Sequence, residues 1–87
     1  MIHELKILPE YFHAVKVGAK RFEVRKDDRP FEVGDVLRLR EFDGQKYTGE
    51  EVDVEVSYIL RGSEYCKDGY CVLSIVSDED GGAGNNG

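Results

Sequence analysis

The chain has 87 residues and a mass of 9.9 kDa, the size of a single domain. A domain this small buries only roughly 60% of its unfolded-chain surface, which speaks against a deep catalytic cavity or a large enclosed cofactor. Charged residues make up 34% of the chain and the net charge is −6, which excludes the uniformly basic surface of an indiscriminate nucleic-acid binder.

The first strand is predicted from Ile2 to Leu8, where Ile2, Glu4 and Lys6 alternate against Leu5 and Ile7. Pro9 suits the first turn of a helix, and Gly18 suits its C-terminal cap. Tyr11, Phe12, Val15 and Val17 lie near helical spacing between them, so a helix is expected from Pro9 to Val17. Lys20 to Lys26 alternates again, with Lys20, Phe22 and Val24 on one face and Arg21, Glu23 and Arg25 on the other. A loop follows in Asp27-Asp28-Arg29-Pro30, with Phe31 and Val33 as its anchors and Gly34-Asp35 as a turn.

Val36 to Phe42 predicts a third strand, with Leu37 and Leu39 opposite Arg38 and Arg40. DGQKYTG has the composition of a hairpin loop. Glu51 to Leu60 is the longest expected strand, with Val52, Val54 and Val56 inward and Asp53 and Glu55 outward. A further loop leads to a last strand from Tyr70 to Val76. Residues 77–87 read as a disordered tail behind a domain spanning residues 1–76. The fold class is α+β and mainly β. One short N-terminal helix and about five strands are expected to form a small, mostly antiparallel barrel, since closure removes exposed edges.

No apolar run nears the ~18 residues of a membrane span, and the N-terminus lacks the order of a signal peptide. A cytoplasmic protein with no membrane partner is expected. Cys66 and Cys71 lack the spacing of a redox pair, and only His3 and His13 could join them on zinc. Free thiols are expected in a reducing cytosol, with a disulfide across the turn left geometrically open. No metal and no cofactor is expected.

The acidity is unevenly spread. Residues 1–40 hold nine Lys/Arg against seven Asp/Glu, whereas residues 41–87 hold three against eleven. Lys16, Lys20, Arg21, Arg25, Lys26 and Arg29 are grouped across a helix end, a turn, a strand and a loop. Cations converging from several elements suit an anionic ligand, but a charged edge strand also protects a sheet from unwanted pairing. Phe31, Tyr47, Tyr65 and Tyr70 are candidates for stacking on bases. Phe22, Phe42 and Tyr58 are expected in the core.

Gly18-Ala19-Lys20-Arg21-Phe22-Glu23-Val24-Arg25 matches the G-x-K-x-x-E-x-R signature of the ASCH domain, a branch of the PUA-like superfamily. HELKILPEYF before it and FEVGDVLRLREF after it, with its Gly-Asp turn, extend the resemblance from His3 to Val76. The chain resembles the short form of that domain found in uncharacterised proteins of bacteria and phages. The resemblance implies a small β-barrel whose cleft recognises RNA or a modified nucleoside. Lys20, Glu23 and Arg25 would line that cleft and Gly18 would permit the turn. Arg21, Lys26, Arg29, Phe31 and Arg40 are the further expected contacts.

Two other readings stand beside an RNA- or nucleotide-binding module. Some relatives of the ASCH domain resemble amidohydrolases acting on acylated cytidine. They carry a lysine at the position of Lys20, a threonine where this chain has Glu23, and a distant glutamate for which Glu64 could stand. In that reading Glu23 would act as a base on water and Lys20 would stabilise the oxyanion. The third reading is a protein-interaction module, with Glu50, Glu51, Asp53 and Glu55 facing a basic partner.

Overall fold

The structure, a computed structural model, describes residues 1–77. Most of the expected tail, residues 78–87, lies outside the described residues; Ser77, assigned to that tail, is the last residue of a strand. The elements run β1 (Ile2–Ile7), α1 (Pro9–Lys16), β2 (Phe22–Lys26), β3 (Val36–Phe42), β4 (Tyr47–Arg61) and β5 (Tyr70–Ser77). The fold is mainly β with one short helix, as expected. No described helix is long and apolar enough to cross a membrane.

The five strands form one curled sheet, a half-barrel, in the order β1-β3-β4-β5-β2. Three pairs are antiparallel, while β1 and β3 run parallel. The expected closure does not occur through backbone pairing. β1 and β2 are the two outermost strands, and an open seam separates them.

Leu5 and Ile7 of β1, Leu37 and Leu39 of β3, Val54 and Val56 of β4, and Cys71, Leu73 and Ile75 of β5 face inward. Phe12 and Val15 come from one side of α1, which covers that concave face. Pro9 opens the helix, Glu10 sits in its first turn and Lys16 in its last, an order that suits the helix dipole. Gly18 closes it at φ 84°. Its amide donates to the Val15 carbonyl and that of Ala19 to the Ala14 carbonyl, which together make a Schellman motif.

β4 starts at Tyr47, four residues before its expected beginning, because Asp43 tightens the hairpin. The Asp43 carboxylate accepts from the Gln45 and Lys46 amides at 2.8 and 2.9 Å. A second departure lies further along the strand. Val56 pairs with Ile75 and Tyr58 with Ser74, so Ser57 is an extra residue and the alternation inverts there. Tyr58 is therefore 62% exposed rather than in the core, and Ile59 turns inward.

Three other expectations about aromatic residues are overturned. Phe22 is 46% exposed, because Glu23 and not Phe22 sits opposite the core residue Leu73. Phe42 is half-buried on the outer face, in phase with Arg38 and Arg40. Phe31 is 3% exposed and packs against His3 with ring centroids 4.7 Å apart, so it has no face left for a base. Both cysteines are buried and unbonded to one another, and burial pushes the Cys71 thiol above its ordinary range.

Candidate functional site: the seam cleft

The antiparallel register of β2 with β5 decides which signature residues meet. Glu23 lies opposite Leu73 and Arg25 opposite Cys71, both of them core residues. Glu23 and Arg25 therefore point to the concave side of the sheet, at the seam. Phe22 and Val24 face outward. The strand alternates as its sequence predicts, but the charged face is the inner one.

Gly18 makes this possible at the other end. The Schellman turn reverses the chain, and the Lys20 amide also donates to the Ala14 carbonyl. Lys20 is thereby delivered from the helix end onto Glu23, with Nζ 2.6 Å from Oε1. The same ammonium donates to the Phe22 carbonyl at 2.6 Å and lies 4.7 Å from the Phe22 ring centroid. Arg25 Nη1 stands 3.8 Å from Glu23 Oε2, too far for a hydrogen bond. Its guanidinium instead crosses the seam to the Lys6 carbonyl.

Glu23 is only 4% exposed. Its Oε1 is satisfied, but Oε2 is buried and accepts no hydrogen bond from any described residue. An unsatisfied buried acceptor costs about 1–3 kcal/mol, and more when it is charged. This oxygen belongs to a residue in the wall of a cleft of about 450 Å³ between the end of β1 and β2. Leu8, Tyr11, Phe22 and Val24 form the rim of that cleft, and each is about half-exposed. A carboxylate between two cations, under an apolar and partly aromatic rim, suits a planar ligand that carries both donors and acceptors.

The remaining predicted residues do not converge on this cleft. Gly18 and Arg21 line a second cavity, of about 720 Å³, between the end of α1 and strands β4 and β5; Lys20 borders both. The Arg21 Nε donates to the Gly18 carbonyl at 3.1 Å. Lys26 and Arg29 are exposed and line neither cavity. Arg40 is on the outer face of β3, 3.6 Å from Glu4 and 3.9 Å from Glu51. Glu64 is exposed in the loop between β4 and β5, outside the cleft lining, so Lys20, Glu23 and Glu64 are not brought together.

The acidic stretch of β4 is partly answered within the chain. Asp53 receives Arg38 through Nε and Nη2, both at 3.0 Å, and Lys16 lies 3.6 Å from Glu50. Among the described residues no group of three His, Cys, Asp or Glu is placed to hold a metal ion.

Lys6, Leu8 and Tyr11 are among the cleft residues that sequence reasoning missed, together with Ile7, Phe22 and Val24. The signal of the first three was faint: a lysine and two apolar residues at a strand-to-helix junction look like ordinary surface and core. The buried cluster of His3 and Asp35 was also missed, since Gly34-Asp35 reads as a turn.

An uncharacterised 12.9 kDa protein encoded in the GpA 3′ region of Escherichia phage P2 is similar to this chain. The two are 39% identical over 78 residues, which covers 90% of this chain and 71% of the phage protein. A family model described as "Domain of unknown function (DUF3850)" matches residues 2–75, and the chain belongs to that family.

Proposed function

We propose that this protein is a small PUA-like module of the ASCH type that binds RNA or a nucleotide-like ligand in the seam cleft. The carrying observation is Glu23, which lines an open cleft and whose buried Oε2 has no protein donor among the described residues. A nucleobase edge with an exocyclic amine offers the missing donor, as cytosine does through its N4 group. Its neighbouring ring nitrogen or carbonyl is an acceptor for Lys20 or Arg25, and the rim of Tyr11 and Phe22 provides apolar cover for the ring. The expected setting is the cytoplasm, a reading that rests on the sequence.

The cleft is read as a binding site rather than a reaction centre, since the third residue of the amidohydrolase scheme, Glu64, lies outside its lining. The test is a chemical-shift titration of the labelled protein with cytidine, uridine, modified nucleosides and short RNA. Shifts are expected at residues 6–8 and 20–25. Glu23→Gln places an amide where the acceptor was and should move preference from cytidine towards uridine, with a smaller change in overall affinity. Silence across the whole panel would overturn the reading. Ligand spectra recorded over time would reveal hydrolysis, the outcome that favours the enzyme.

A further inference from the structure

Lys6 takes part in two surfaces. It lines the seam cleft, and its Nζ lies 4.5 Å from the Phe42 ring centroid and 5.9 Å from that of Tyr47. Among the described residues no carboxylate pairs with this ammonium, whereas Arg40 beside it is countered by Glu4 and Glu51. Phe42 and Tyr47 are partners across the β3–β4 hairpin, with centroids 5.4 Å apart and rings tilted by 70°. The Arg40 guanidinium carbon lies 4.0 Å from the Tyr47 centroid.

These four side chains share the outer face. Lys6 sits beside Arg40 in the parallel register, and Arg40 and Phe42 are out of phase with the core residues Leu37 and Leu39. The patch stands where β1 runs into α1, which is also where the cleft opens. Tyr47 is 40% exposed there. An unneutralised cation next to an exposed ring is the pairing that single-stranded nucleic acid uses, one group for a phosphate and one for a base.

We propose that the ligand of the cleft is a nucleotide within a single strand of RNA, with its adjoining phosphate on Lys6 and the next base stacked on Tyr47. This rests on the cleft reading above and adds that the ligand is a polymer. A free nucleoside would leave the patch unused.

The experiment compares cytidine 5′-monophosphate with a short cytidine-containing RNA oligomer, each titrated against wild type, Tyr47→Leu, Lys6→Gln and Glu23→Gln. Tyr47→Leu keeps apolar cover over Phe42 but removes the ring, and should weaken the oligomer roughly tenfold while leaving the mononucleotide unchanged. Lys6→Gln should lower the slope of log affinity against log salt by about 0.7 for the oligomer, the loss of one phosphate contact on a single strand. Oligomer binding that neither Tyr47→Leu nor Lys6→Gln alters would overturn the strand proposal. The cleft reading would stand if Glu23→Gln, which keeps an acceptor for Lys20, still weakened both cytidine probes. Wild type that binds neither probe would overturn both.

Discussion

Arg25 joins the two free edges of the sheet by placing both terminal nitrogens on the Lys6 carbonyl oxygen, at 3.2 and 3.1 Å. β1 and β2 share no ladder, so this side chain does at the seam what backbone pairing does between the other strands. It also forms one end of the cleft. The same guanidinium thus holds the fold and shapes the candidate site.

Arg25→Ala removes a charged donor from that carbonyl and should destabilise the protein by about 1.5–3 kcal/mol. Denaturant unfolding measures the loss. Amide hydrogen exchange at residues 6–8 should accelerate by more than at Leu37 and Leu39, which register only the global loss, because the seam also opens locally. Exchange that rises equally throughout the sheet would show that Arg25 acts on global stability alone.

Glu23 is the second point at which site and fold overlap. Glu23→Ala leaves the Lys20 ammonium, whose side chain is 16% exposed, without its carboxylate at 2.6 Å. Breaking one partner out of a buried pair costs about 3–5 kcal/mol, since the other charge stays behind. A loss of that size by urea denaturation is expected, with a smaller one in Glu23→Gln, which retains an acceptor for Lys20. Equal effects of the two variants would mean that charge, which both lose, and not shape, which glutamine keeps, is what the site requires.

The position of Lys20 depends on Gly18, whose φ of 84° belongs to the left-handed region. A Cβ at Gly18 meets no atom within 4 Å, so substitution carries a backbone cost and no clash. Gly18→Ala should destabilise by about 1–2 kcal/mol, and Gly18→Asn by less, because asparagine tolerates that conformation. Thermal unfolding of the pair decides it. A larger loss in Gly18→Asn than in Gly18→Ala would point to side-chain crowding instead.

Much of this architecture was legible in periodicity. The alternation of Leu37 and Leu39 against Arg38 and Arg40, and of Val54 and Val56 against Asp53 and Glu55, places β3 and β4 correctly. The cap at Gly18 is equally plain. Periodicity gives the parity of a strand but not which parity faces inward, and β2 shows why. At an open edge the inner face need not be apolar, so Glu23 and Arg25 turn in while Phe22 and Val24 turn out. Ser57 was invisible for a related reason: one extra residue inverts everything after it, and its composition carries no mark. The signature residues Lys20, Glu23 and Arg25 were read as a group and are one. Arg21 shares the parity of Glu23 and Arg25 but precedes β2, in the turn after α1, where its Nε donates to the Gly18 carbonyl and it lines the other cavity.

Asp35 offers a test in pH. Its carboxylate accepts from the Met1 ammonium at 3.1 Å, from the Glu32 amide at 3.0 Å and from His3 Nε2 at 2.8 Å. A carboxylate can only accept, so the His3 proton in this contact sits on Nε2. Burial pushes the Asp35 carboxyl up, but the bonds from His3, Glu32 and the N-terminus outweigh it and hold the group below the ordinary aspartate range. The unfolded chain therefore binds a proton at a higher pH than the folded one does. The resulting stabilisation is fully present above the unfolded value of about 4 and is lost as pH falls below it through the depressed folded value. Urea midpoints measured from neutral pH downward should fall steeply below that value in wild type. Asp35→Asn should start lower, by about 1–3 kcal/mol, because its donors are left without a carboxylate. Its acid limb should then be shallower, as the linked proton is gone. Parallel acid limbs in the two proteins would assign the acid sensitivity to other carboxylates and leave Asp35 as a structural acceptor only.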